Sequence, residues 1–209
     1  MTVSVIYCHP CLNVPKYAPA AQAFVRTYMT HPPGITDHEL WVGLCGAEKR
    51  EPHHERLFSP LQPNYLPHNN WGKDIGLFQA AADRIECDLL VCFGAHVHFH
   101  RAGWLDRIVG AYLENGPSIY GAYGFHTPRP HIRTTAYWAP PELLRMYPYQ
   151  IGTPQRYEYE HGSESITLWC KSKGFEPMMV TWRECLPMDR WRNIGCEEAL
   201  VGDQHQACQ

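Results

Sequence analysis

No run of about 18 apolar residues occurs in the chain, so no helix is predicted to cross a bilayer. The start, Met-Thr-Val-Ser-Val-Ile-Tyr, lacks the basic opening and long apolar core of a secretory leader and reads as a first strand. Excess charge is lacking too. A net charge of −3 argues against a broad basic face and against tight nonspecific binding to nucleic acid. A local cluster such as Arg129, His131 and Arg133 is the exception. The 9 cysteines are odd in number and scattered, which fits reduced thiols of a cytoplasmic protein rather than a disulfide framework. Cys8 and Cys11 form a lone C-x-x-C with no second pair at zinc-finger spacing. Internal repeats and low-complexity segments are also missing.

What is present is enough for one domain. Apolar residues make up 44% of 209, which supplies a substantial core. The 7 Trp and 12 Tyr serve packing and ligand stacking alike. Trp169, Trp182 and Trp191 fit either use, with packing the simpler.

Hydrophobic patterning gives alternating elements. Val3 to Cys8 reads as a strand, Ala18 to Met29 as a helix and Leu40 to Cys45 as a strand. Residues 46–68 show no period and read as a long functional loop. A helix over Gly76 to Arg84 and a buried parallel strand over Asp88 to Phe93 follow. Next come a helix over Ala102 to Leu113, a glycine-weakened strand over Ile119 to Phe125 and a short helix over Pro140 to Met146. Later still are a helix from Ser165 to Lys173 with Gly174 as its cap and a strand over Met178 to Trp182. Residues 183–209 are ambiguous, with their last residues loose. The pattern predicts an α/β fold with a mostly parallel, Rossmann-type sheet flanked by helices.

The most informative stretch is Asn69-Asn70-Trp71-Gly72-Lys73-Asp74-Ile75-Gly76, then a helix, then the apolar strand, then Gly94-Ala95-His96-Val97-His98-Phe99-His100. Open α/β sheets place ligands at such strand ends. The order resembles nucleotide-sugar glycosyltransferases of the GT-A fold, family-2-like and of a small bacterial or phage type. These carry an N-x-G-x-D-x-G-like loop, a helix, a strand and an acidic D-x-D triplet. A W-L-x-R-I-like helix follows, here Trp104-Leu105-Asp106-Arg107-Ile108. In this chain the triplet has departed to Gly94-Ala95-His96.

The resemblance implies a glycosyltransferase, hexosyl transfer included, acting from a nucleotide-sugar donor to an unknown acceptor: glycan, protein or modified nucleobase. A DNA acceptor draws no support from the net charge. One GT-A-like domain over residues 1–209 is expected. It would have a nucleotide-sugar-binding half (1–125), an acceptor-side half (126–182) and a tail (183–209). Nucleotide contacts are expected from His9, Asn13, Asn70, Gly72, Asp74 and Arg133, with Glu48 a looser candidate for the base. Asp74 and Glu164 also suit helix starts, and the asparagines suit turns.

A divalent ion would stabilise the leaving diphosphate. His96 falls on the family's metal-ligand position, with His98 and His100 alternating beside it. Oxygen donors would suit Mn²⁺ or Mg²⁺, whereas imidazoles favour Zn²⁺. Glu160, His161 and Glu164 are the candidate general bases, and Glu158 would share a face with Glu160 on an extended chain. Two other readings remain open. One is a non-catalytic, degenerate binding domain; the other is a zinc hydrolase on His96, His98 and His100.

Overall fold

The computed structural model describes residues 1–203. Strands β1 (Val3–Pro10), β2 (Glu39–Cys45), β3 (Asn64–His68) and β4 (Leu89–Phe93) form the parallel half of the main sheet, in the spatial order β4-β1-β2-β3. Helices α1 (Val14–Thr30), α2 (Pro52–Phe58) and α3 (Lys73–Arg84) make the crossovers. After α4 (Trp104–Asn115) the chain adds β5 (Tyr120–Gly121), β6 (Gly124–Phe125), β7 (His131–Ile132) and β8 (Ala136–Ala139). Strand β8 runs antiparallel between β4 and β5, while β6 and β7 pair apart as a small ribbon. Helices α5 (Pro141–Met146), α6 (Arg156–His161) and α7 (Ile166–Ser172) precede β9 (Met178–Val180) and β10 (Cys185–Pro187), which complete the sheet edge. The expected α/β architecture is present.

Strands β1 and β4 lie centrally, and β4 is buried along its whole length. That explains its unbroken Leu-Leu-Val-Cys-Phe run: both faces are covered, so no polar alternation is needed. Gly43 in β2 leaves room for Leu77 of α3, whose side chain would meet a Cβ there at 2.3 Å. A stacked pair, Phe99 and Trp104, with ring centroids 4.2 Å apart, closes the core beneath α4.

Four expectations need correction. Residues 46–68 are not one loop but contain α2 and β3. Glu51 and Pro52 start α2 through a capping box and a proline at the first turn, and β3 tolerates Pro67 because it is an edge strand. The strand expected over 119–125 is two, β5 and β6, in different sheets. Residues 156–161 form α6 rather than an extended segment, so Glu158 and Glu160 turn to different sides. Glu164 is not a capping-box acid, because Ser165 caps α7 through its Oγ and Glu164 stands outside the helix. Residues 183–203 include β10 and a buried Ala199–Leu200–Val201 segment. The expectation of a loose end falls on residues outside those described.

Candidate active site

A cleft of about 550 Å³ opens at the C-terminal ends of β1, β2 and β4. Chain order reverses between β1 and β4, which is where open α/β sheets make their ligand crevice. Asn13, Asn70, Asp74, His96, Arg133 and Glu160 all line it, although they come from five separate segments. Asp74, the expected nucleotide contact, and His96, at the expected metal position, share one crevice.

Local structure fixes these groups. Asn70 and Gly72 take positive φ, and the left-handed Gly72 starts α3, which aims Asp74 inward from the first turn. A Cβ at Gly72 would meet Ile151 O at 2.0 Å, so glycine is required by close backbone approach. Asp74 Oδ1 accepts from Arg156 Nη2 at 2.5 Å and from its neighbour Ile75 N at 3.1 Å. The loop after β4 is pinned by Tyr7 Oη, which donates to Ala95 O at 2.7 Å, and by Gly94 N, which donates to Thr135 O at 2.7 Å. The Tyr17 ring lies 5.6 Å from that of His96.

The opposite wall comes from β7, β8 and α6. Arg133 pairs with the buried Asp203 at 3.0 Å. Glu160 Oε2 accepts from Thr134 Oγ1 at 2.6 Å. Lys16, Lys73, Thr135 and Arg156 also line the cleft and were not singled out from the sequence. Lys73 sits inside the quoted loop and could have been chosen there. Arg156 carries no local signal, because its role depends on a partner 82 residues away. The cleft floor holds two thiols, Cys8 and Cys45, with Sγ atoms 3.6 Å apart. Their hydrogen bond draws the Cys45 thiol down to about 7, with help from His68, and pushes that of Cys8 well up.

Other expected residues lie elsewhere. His9 is buried behind the cleft, 5.2 Å from the Phe58 ring and 5.7 Å from that of His54, and burial lowers its pKa to about 4. Gly72 shapes the loop without lining the cleft. The His98 ring packs over Gly202, and its Nδ1 lies 3.3 Å from His96 O. His100 is half-buried, with its pKa lowered by desolvation. The loop turns after Gly94, so the three imidazoles do not share one centre. Glu164 accepts from Tyr149 Oη at 2.9 Å in a neighbouring groove that also holds Glu158. Glu48 lines a separate cavity with Cys11 and His54. None of Trp169, Trp182 and Trp191 lines the cleft.

Among the described residues, two groups of three donors lie within 4.8 Å of one another: His9, Cys11, His54, and His131, Glu160, His161. Neither includes His96. At the end of β4, Gly94 and Ala95 offer no side-chain donor, whereas Mn²⁺ and Mg²⁺ prefer several oxygens. The strand-end donors do not fit such an ion.

No protein-family model and no curated protein sequence matches the chain. Among solved structures it is similar to the mannosyltransferase PcManGT from Pyrobaculum calidifontis, in complex with GDP-Man and Mn²⁺ (TM-score 0.64, 11% identity, 89% of this chain and 56% of that one). The chain thus spans little more than half of that enzyme. It is similar to CMP:2-keto-3-deoxy-manno-octonic acid synthetase complexed with CTP (TM-score 0.55, 10% identity, 85% of this chain and 88% of that one). It is also similar to TarS from S. aureus (TM-score 0.50, 13% identity, 80% of this chain and 32% of that one). At such identities the likeness establishes the fold: a GT-A-type α/β sheet.

Proposed function

We propose that the chain is a transferase that binds a nucleotide-diphosphate sugar in this cleft and passes the sugar to an acceptor. The observation that carries the reading is the lining itself. Lys16, Lys73, Arg133 and Arg156 surround the crevice at the sheet's reversal point, with Glu160 facing it. A diphosphate leaving group gathers negative charge, and fixed cations in a sheltered cleft stabilise it as it forms. PcManGT, complexed with GDP-Man, supplies the analogy for the donor.

The acceptor oxygen would bond the anomeric carbon while the bond to the diphosphate oxygen breaks. Its hydroxyl proton would pass to a general base, the role we assign to the Glu160 carboxylate. Thr134 holds one carboxylate oxygen and leaves the other for the proton. Asn13, Asn70 and Tyr17 on the β1 and α3 side would meet the nucleoside.

Incubation with GDP- and UDP-sugars, with nucleoside diphosphate release followed, tests the reading. No release from any donor, together with no thermal shift on adding GDP or UDP, would overturn it. A second reading is nucleotidyl transfer, favoured by the chain's 88% coverage of the CTP-bound synthetase. It predicts pyrophosphate release from a nucleoside triphosphate and a sugar acid.

A further inference from the structure

The fold's usual oxygen-rich metal position at the end of β4 is gone from this chain, but another donor set stands on the facing wall. We propose that His131, Glu160 and His161 form a divalent transition-metal site at the acceptor side of the cleft, built from β7 and α6. This goes beyond the sugar-transfer reading; binding of the ion does not depend on it, and only the acceptor's place beside the ion rests on it.

The three ligand atoms lie within 4.8 Å of one another, close enough for one ion. His131 is 4% exposed, and its Nδ1 lies 2.8 Å from Arg129 O. A carbonyl only accepts, so Nδ1 carries the proton and Nε2 keeps its lone pair. That outer hydrogen bond is the arrangement by which metal-binding imidazoles are oriented. The His161 ring stands 4.2 Å from that of His131 at 81°, and its Nε2 is 3.8 Å from Glu160 Oε1. That separation is too long for a hydrogen bond, yet it is in range for two ligands on one ion. His161 Nδ1 is buried with no hydrogen-bond partner among the described residues. Thr134 holds the other Glu160 oxygen and orients the carboxylate.

Two imidazoles and one carboxylate match the donor set of open catalytic zinc sites, which keep a fourth position for an exogenous oxygen. Because Glu160 lines the cleft, that position would face the acceptor. With an ion bound, Glu160 would serve as a ligand rather than a free base, and the ion would supply Lewis acidity to an oxygen held at the open position. The neighbouring cation Arg133 opposes the ion less than a bare charge would, because Asp203 pairs with it.

Cobalt substitution of the full-length protein tests the proposal. One equivalent of Co²⁺ should be retained after dialysis and show visible d–d absorption without near-ultraviolet thiolate charge transfer. E160Q and H161Q should each weaken Co²⁺ binding at least tenfold, on the order of the losses seen when metal-site residues are altered. Retained circular dichroism would show that both variants fold. Failure of the wild-type protein to retain Co²⁺ would overturn the proposal. So would unchanged affinity in both variants, or a thiolate band. The last would put the ion on His9, Cys11 and His54 instead. Nucleotide is absent throughout, so the outcome is separate from that of the transfer assay.

Discussion

Asp74 and Arg156 meet across the mouth of the cleft, with Arg156 Nη2 donating to Asp74 Oδ1 at 2.5 Å. The pair joins the first turn of α3 to the start of α6 and so ties the two halves of the site together. Both side chains keep partial solvent access, at 23% and 31%. In water such a pair adds under about 1 kcal/mol to stability. Its value therefore lies in holding a guanidinium where a diphosphate would sit.

Arg156→Ala is expected to weaken binding of GDP or UDP by about tenfold or more, the effect of losing one charge-assisted hydrogen bond of roughly 1.5–3 kcal/mol. The midpoint of urea unfolding should barely move. Titration calorimetry beside a denaturation curve checks both parts; equal affinities for the variant and the parent would remove Arg156 from the site.

Glu160→Gln should leave nucleotide affinity within about twofold and lower transfer by roughly 10²–10⁴, the usual contribution of a positioned base. Glu158→Gln and Glu164→Gln serve as controls, because both face the neighbouring groove. A transfer rate lowered as much by either control as by E160Q would place the base elsewhere.

Stability should depend on pH through His9. Burial depresses its folded-state pKa from 6.5 to about 4. Between those values the unfolded chain takes up a proton that the folded one refuses. Stability from this group is thus full above about 6.5 and falls as pH drops toward 4, by on the order of 3 kcal/mol. Urea midpoints at pH 7 and pH 4.5 measure the decline, and His9→Gln should flatten it. A slope identical in the variant would assign the decline to other groups.

The Phe99–Trp104 stack is fully buried. Trp104→Ala should cost about 3–5 kcal/mol, the range for emptying an aromatic site in a core. It also frees His31 O, which accepts from the indole Nε1 at 3.1 Å. A loss below about 1 kcal/mol would mean that the cavity collapses easily.

Much of the fold was readable along the chain. β4 announced itself as an unbroken apolar run, and α3 and α4 by helical spacing, because each pattern is set within a few residues. α2 and β3 were missed: a seven-residue helix and a five-residue edge strand bury too little to print a period. Glu158 and Glu160 were misaligned for a related reason. Six residues of α6 are too few to tell a helix from an extended run.

Most of the element order, and the strand end at which a ligand crevice would open, can be read from the sequence, since hydrophobic period and turn chemistry are local properties. The sequence also shows that no acidic triplet stands there. Which charges face one another follows from packing alone. Arg156 against Asp74, Arg133 against Asp203 and the His131–Glu160–His161 trio all depend on where distant segments pack. Long-range packing is a property of the folded sheet as a whole, and no neighbouring stretch of the chain records it.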